Sequence, residues 1–442
     1  MSTQHHSAFT RRQFLARGVL AAGAAAVPCL VPARVLGRNG AVPPSERIVM
    51  GGIGIGGRGS YDLGVMLSMP DVQWVAVCDV VKARRLAAKN MVDTKLGHAD
   101  CAAYSDLREL LTERADIDAV LIATGDRWHA LASVLAMRAG KDVYCEKPAC
   151  LTMAQGQLVV DTARRYARVY QTGAQRLSEP HHVYAIELAK AGRLGPIHTA
   201  YADIRWRDGA LHDWLPTEPE PPKEEVDWDL WLGPSPWRPY NRGYVNGGGW
   251  YHYYDFATDV AMWGAHTVAQ ALAGIDMTNV STIAFEYAGP DATMVTRLSN
   301  GVKLVLYRVS GSVWERCEYW HGACGERFDG PEGWAAAADG YAETDVSSPA
   351  LLKDYRKVLA DYTARTQRPL NHVRDFLDCV RSRRLPVANQ DVMLRSMNIC
   401  LAADICGQLR RNVTFDLAKA EFVGDAEANR LRFRAQRAPF TG

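Results

Sequence analysis

The sequence carries no excess of charge of either sign. Lys plus Arg is 51 and Asp plus Glu is 49, a formal net charge of +2. That balance excludes charge-driven binding of the whole chain to nucleic acid and offers no polybasic membrane surface. No uninterrupted apolar run approaches the ~18 residues that a membrane-spanning helix needs. There is no C-x-x-C pair, and ten cysteines in 442 residues are too few for a disulfide scaffold. Spacing alone leaves open a pairing of Cys317 with Cys324, or of Cys400 with Cys406. There is no Gly-x-Ser-x-Gly nucleophile elbow and no internal repeat. Hydrophobic residues are 48% and charged residues 23% of the chain, which excludes wholesale disorder, and 442 residues suffice for two domains.

The charge that exists is unevenly placed. Residues 1–37 hold four Arg and no acid, so without them +2 becomes −2. Arg11-Arg12-Gln13-Phe14-Leu15 precedes a short Ala/Gly-rich apolar stretch ending near Val27. A charged start, a short apolar run and small residues before a cut describe a signal peptide. The Arg pair resembles a twin-arginine signal, which hands folded proteins to the twin-arginine export machinery. Residues 1–37 are therefore read as a signal peptide and 38–46 as a linker. The mature protein is expected to be periplasmic or otherwise exported, with no stable membrane insertion after cleavage.

From Arg47 the texture is α/β. Apolar, strand-length runs at Arg47–Ile53, Val72–Cys78, Ala119–Ala123, Asp142–Cys145 and Val169–Gln171 alternate with helical stretches. This alternation predicts a doubly wound parallel sheet over 47–170. Thr282–Tyr287, Thr293–Leu298 and Lys303–Ser310 read as antiparallel strands, with Asn300-Gly301 as a hairpin turn. Residues 171–442 are expected to form an α+β domain with an open-faced, mostly antiparallel sheet. Its C-terminal helices, Leu370–Arg381 and Val392–Arg410, would pack back.

Gly54-Ile55-Gly56-Gly57-Arg58-Gly59 fits G-x-G-x-x-G at the end of a strand and the start of a helix. Gly54 allows the tight turn, Gly56 the approach of a pyrophosphate, and Gly59 close helix–strand packing. A helix N-terminus there offers free N–H groups to phosphate. Asp79 ends the next strand, 20 positions after Gly59, where a carboxylate can bond a ribose 2′-OH and repel a 2′-phosphate. NAD is thus favoured. Arg58, Arg84 and Arg85 keep NADP as the alternative.

Two further turns follow strand ends, Thr124-Gly125-Asp126-Arg127-Trp128-His129 and Glu146-Lys147-Pro148. With Gln171-Thr172-Gly173-Ala174-Gln175-Arg176 and Trp263-Gly264-Ala265-His266, they make the sequence resemble the Gfo/Idh/MocA oxidoreductases. Trp228-Asp229-Leu230-Trp231-Leu232-Gly233-Pro234 looks like a signature of exported members. The resemblance implies a Rossmann domain and a substrate domain, a nicotinamide cofactor, and a homo-oligomer. It places Lys147 between nicotinamide and substrate, with a cis bond before Pro148, and Gln175 near the nicotinamide amide. Thr124, Asp126, His129 and Glu146 join the expected cofactor contacts. Lys147 and His266 are the expected catalytic pair.

The chain departs from the family at His266. Asp is usual four residues before and three after this His, but Met262 and Ala269 stand there. His266 would act alone, or Lys147 would take the hydroxyl proton. Trp250, Tyr253, Tyr254, Asp259 and His266 are the expected substrate contacts, within an aromatic stretch that also includes Trp206, Trp214, Trp228, Trp231, Trp237 and Tyr240. Most of these rings are expected to pack, with one or two facing a sugar. His181-His182 and His212-Asp213 lack metal-ligand spacing along a helix, so no metal is expected. Arg381, Arg383 and Arg384 read as a solvated helix end.

Export bears on chemistry. A nicotinamide cofactor used outside the cytoplasm has to be carried out and regenerated in place. Three readings follow. The first is an oxidoreductase for a sugar, cyclitol or glycoside that holds its cofactor tightly. The second is a redox-neutral NAD-dependent glycoside hydrolase or epimerase, in which a sugar carbon is transiently oxidised. The third is a non-catalytic sugar-binding protein.

Overall fold

The computed structural model describes residues 42–204, 211–246, 248–289, 292–308 and 317–441. The expected signal peptide, Trp206 and Gly247 lie outside them. The chain divides at Arg47/Ile48. Before this point lies one 3-10 turn, Pro44–Glu46. Everything below concerns Ile48 onward.

Six parallel strands form the first sheet: β1 Ile48–Ile53, β2 Val72–Cys78, β3 Ala102–Tyr104, β4 Ala119–Ile122, β5 Asp142–Cys145 and β6 Tyr170–Thr172. Their spatial order is 3-2-1-4-5-6, the dinucleotide-binding order, with a crevice where β1 and β4 diverge. β4 and β5 are buried throughout, as parallel strands covered on both faces must be. The intervening helices are α1 Gly57–Leu67, α2 Lys82–Leu96, α3 Leu107–Glu113, α4 Asp126–Arg138 and α5 Met153–Arg165.

The second sheet has nine strands among the described residues, in the order 13-12-11-7-10-9-8-14-15. They are β7 Thr199–Ile204, β8 Thr282–Glu286, β9 Met294–Leu298, β10 Lys303–Arg308, β11 Glu326–Gly330, β12 Gly333–Ala337, β13 Asp345–Val346, β14 Val413–Asp416 and β15 Glu421–Phe422. Only the β7–β10 pair is parallel. β8 alternates half-buried and buried positions, with Ile283 and Phe285 inward, the signature of a sheet covered on one face. The covering helices are α6 Pro180–Lys190 and α7 Ala261–Gly274.

Three long helices follow, α8 Tyr355–Thr366, α9 His372–Ser382 and α10 Gln390–Leu409, and then a short one at Ala426–Arg430. α9 shows why this end returns to the first sheet. Val373, Phe376, Leu377 and Val380 recur at helical spacing and join the core of β1 and β2. Its basic end is not merely solvated. Arg383 holds the Asp142 carboxylate at the start of β5, and Arg381 holds Asp71 before β2. The charges found pairs because the helix end lies against strand ends remote in sequence. All nine cysteines from Cys78 onward are free thiols, eight of them buried, so neither open pairing forms.

Candidate active site

The phosphate turn is shaped by what a side chain would strike. Gly54 has φ +75°, and a Cβ there would lie 2.4 Å from the Thr124 Cα. At Gly59 a Cβ would meet the Gly54 carbonyl oxygen at 2.9 Å. These two glycines bring α1 against β1 and β4. Around Gly57 there is open space, and no side chain caps α1 at Gly56. The first N–H groups of α1 are therefore presented to a ligand.

Asp79 is buried at the end of β2 and accepts from the Val81 N–H at 2.8 Å. Burial pushes its carboxyl up to about 6, against the pull of Arg84, Arg85 and Arg127. It lines a cleft with Gly54, Thr124, Arg84, Leu107 and Trp231. The arginines that kept NADP open are engaged elsewhere. Arg58 pairs with Asp62, Arg84 donates to the Val245 carbonyl and Arg85 to the Asp79 carbonyl. A buried carboxylate at the end of β2 fits a ribose diol, hence NAD, although Arg84 and Arg127 line the same cleft.

Arg127 was not singled out in sequence, although it sits inside the Thr124–His129 run. It is fully buried and stacked 3.6 Å from the Trp231 ring centroid, with Nε donating to the Trp231 carbonyl. Its Nη1 has no hydrogen-bond partner among the described residues. Burial pulls this guanidinium down to about 9. Asp126 beside it is pushed up to about 7 by burial, with Lys147 and Arg127 pulling the other way.

A cavity of about 280 Å³ lies beyond this turn. Arg58, Asp126, His129, Glu146, Lys147, Arg176, Trp250, Tyr251, Met262, Trp263 and His266 line it. The Lys147–Pro148 bond is cis. Lys147 Nζ donates to the Met262 carbonyl at 3.0 Å and lies 5.9 Å from the Trp263 ring centroid. Where the family has a carboxylate, Met262 thus supplies its backbone oxygen. The Lys147 charge pulls the Asp126 carboxyl down against its burial.

Glu146 forms the floor. It accepts from Gln175 Nε2 at 2.6 Å, lies 3.5 Å from Arg58 Nε, and leaves no room for a Cβ at Gly173. Gln175 also donates to the Tyr144 hydroxyl. Burial and the Glu146 charge push the Asp62 carboxyl up, against the pull of Arg58. Asp62 lies four residues after Arg58 on α1, a spacing that the sequence already displays.

His129 joins two turns. The Gly125 N–H donates to its Nε2 at 3.2 Å, so Nδ1 carries the proton to the Pro148 carbonyl at 2.6 Å. Burial lowers it to about 4, which keeps it neutral. It shapes the pocket wall by holding the Gly125 turn to the Pro148 turn.

His266 stands on α7 with a cation for a neighbour. Arg176 Nη1 lies 3.4 Å from its Nε2, and Nδ1 finds no hydrogen-bond partner among the described residues. Burial, then Arg176 and Lys147, hold the imidazole well below its ordinary value. Arg176 is fixed by Asp339, at 2.9 and 2.6 Å. Arg176 closes the Gln171–Arg176 run, but nothing local announces Asp339, which arrives from the loop after β12.

Of the expected substrate contacts, the structure brings Trp250 and His266 to the cavity. Tyr253 packs with Trp228, Trp231, Tyr240, Tyr244 and Phe256 around the buried Arg238. Tyr254 faces a separate cavity, under the Arg434 guanidinium. Asp259 bears on Asp404 of α10. The aromatic stretch is mainly the core of its own insertion, since many large rings in a loop-rich segment bury best against one another.

Fold and site together define a class, a Rossmann dinucleotide domain joined to an open-sheet domain that contributes a His-bearing helix. Residues 47–174 match a family described as "Oxidoreductase family, NAD-binding Rossmann fold", and residues 338–442 match "Oxidoreductase family, C-terminal alpha/beta domain". The chain belongs to the Gfo/Idh/MocA oxidoreductase family. It is similar to a "Glycosyl hydrolase family 109 protein" of Saccharopolyspora erythraea, 39% identical over 127 residues, 28% of this chain and 27% of that protein. It is also similar to an "Inositol 2-dehydrogenase" of Salmonella typhimurium, 32% identical over 147 residues, 32% of this chain and 41% of that one. These matches span well under half of either relative's length. Among solved structures, the WlbA dehydrogenase of Chromobacterium violaceum, in complex with NADH and UDP-GlcNAcA, overlays with a TM-score of 0.60 at 16% identity. The overlay covers 84% of this chain and 97% of that one, which shows a shared fold.

Proposed function

We propose that this chain is an exported NAD-dependent oxidoreductase that removes a proton and a hydride from a CH–OH group of a sugar, cyclitol or glycoside, with its cofactor tightly held. The observation that carries the reading is the placement of the Lys147 ammonium. It shares one cavity with His266, Arg176 and Trp250, at the strand ends that form the dinucleotide crevice. Gly54–Gly59, Asp79, Thr124 and Arg127 would hold the cofactor, which when bound supplies the hydride acceptor. The Lys147 ammonium makes a single hydrogen bond among the described residues, to the Met262 carbonyl, and its Nζ, once it has given up a proton, is the atom placed to take the hydroxyl proton. His266 accepts from Arg176 at Nε2, so its Nδ1–H orients a substrate oxygen. Trp250 and Tyr251, 3.8 Å apart between ring centroids, offer apolar faces to C–H groups of a sugar ring.

A second reading has specific support, since several relatives are named "Glycosyl hydrolase family 109 protein". There a sugar carbon is oxidised, a leaving group departs from the acidified neighbour, water adds, and the carbon is reduced again, with no net redox.

One experiment separates these. The mature protein is purified from an exporting cell, denatured, and the released cofactor identified by absorbance and mass. The native protein is then given sugars and glycosides. NAD release and an oxidised sugar support the first reading, and aglycone release without net redox the second. An empty protein that only binds sugar overturns both. Export is checked by replacing Arg11 and Arg12 with Lys, which is expected to leave the precursor in the cytoplasm. A homo-oligomer formed through the uncovered face of the nine-stranded sheet belongs to the same reading, and light scattering tests it.

A further inference from the structure

The N-terminus of α6 gathers a ligand set that its sequence conceals. Glu179 caps the helix without bonding a backbone N–H through its side chain. His181 Nε2 and His182 Nε2 each lie 3.9 Å from the same oxygen, Glu179 Oε2. All three donor atoms fall within 4.8 Å of one another. Neither Nε2 has a hydrogen-bond partner among the described residues, and the His182 side chain is fully buried. Two buried ring nitrogens aimed at one carboxylate oxygen, without bonding it, are costly unless something binds between them.

The other face of each ring is already held. His182 Nδ1 lies 2.8 Å from Glu326 Oε2, and Gln270 Nε2 donates to the same oxygen at 2.6 Å. A carboxylate bonded to Nδ1–H leaves the Nε2 lone pair free, the arrangement that orients a metal-bound histidine. His181 is hydrogen-bonded to the Ala338 backbone. Its Nε2 is unpartnered, so that bond uses Nδ1.

We propose that Glu179, His181 and His182 bind a first-row divalent cation of the zinc type, with water completing the shell. Bonds of about 2.0–2.2 Å in a tetrahedron place ligand atoms roughly 3.3 Å apart, so each imidazole must close on Glu179 from 3.9 Å, within a set whose atoms all lie inside 4.8 Å. Two imidazoles and one carboxylate suit zinc better than calcium or magnesium, which take oxygen shells. The positive end of α6 opposes a cation, Arg176 is neutralised by Asp339, and burial pushes the Glu326 carboxyl well up, so the charge set against the cation is that of Glu179. The role is positional. Glu179 follows Arg176 by three residues, so a bound cation pins the turn Gln175–Ser178, which carries Arg176 of the cavity and Gln175, the donor to Glu146.

The test is zinc and cobalt titration of the chelator-stripped, full-length mature protein, followed by calorimetry and by cobalt absorption. The expected result is one equivalent per chain, a tetrahedral cobalt band, and binding weaker by about 100-fold or more in Glu179→Gln and His181→Gln. Circular dichroism checks that both variants fold. Wild-type protein that takes up no zinc overturns the proposal. So does zinc binding left unchanged in both folded variants. If a variant does not fold, the wild-type cobalt spectrum decides, and an octahedral or absent band counts against the site. Cofactor release does not enter, so this result stands apart from the reading of the active site.

Discussion

Lys147 and His266 meet in one cavity, yet their surroundings differ. Arg176 lies against the Nε2 of His266, while the Lys147 ammonium meets the Met262 backbone oxygen. Lys147→Ala is expected to lower turnover by ~10² or more with NAD affinity retained, measured by stopped-flow on the reconstituted enzyme. Asp79 adds a pH dependence. Its carboxyl, pushed up to about 6, accepts from two ribose hydroxyls, one on each oxygen, most strongly when ionised. NAD affinity should therefore fall as pH drops through 6, by about tenfold between pH 7.5 and 5, where only about a tenth of the carboxyl is ionised. Asp79→Asn should flatten that profile in fluorescence titrations, and a persistent slope would place the titrating group elsewhere.

At the scale of elements, the β1–α1 turn and the α7–α10 contact make opposite demands. Gly54→Ala puts a methyl into the Thr124 backbone at positive φ and should destabilise the protein by about 1–3 kcal/mol or more, with loss of NAD binding. Gly57→Ala meets nothing in the protein, so its melting temperature should match wild type within error. Asp404 on α10 accepts from the Val260 N–H at 3.2 Å, and burial pushes it up to about 7, with Asp259 adding. Its folded value lies above the unfolded one, so the stability it contributes is complete at low pH and lost as pH rises through 7. Asp404→Asn should accordingly raise the melting temperature more at pH 8 than at pH 5. Equal gains at both would show that its charge is not the cause.

The whole molecule is expected to bind its cofactor as part of its stability. A ligand held by the folded chain alone adds about 2.7 kcal/mol at a hundredfold excess over Kd. Stripping NAD should lower the melting temperature, adding it back should restore it, and NADP should not, because Arg58, Arg84 and Arg85 are bound to other groups. Restoration by both dinucleotides in calorimetric scans would show that one of those arginines changes partner.

Short-range pattern carried much of this protein. Glycine spacing, a strand-terminal Asp and buried apolar runs are local consequences of backbone sterics and side-chain burial, so β1, β2, β5 and the phosphate turn were legible. β7 and β11–β13 were not, because short strands take their identity from partners far along the chain. Only the folded chain decided that a backbone oxygen of Met262 meets Lys147, that Asp339 fixes Arg176, and that Tyr253, Tyr254 and Asp259 lie away from the cavity. It alone turned His181-His182 into a ligand pair beside Glu179. Which groups share a few ångströms across hundreds of residues depends on packing, and packing is not written in any one stretch of sequence.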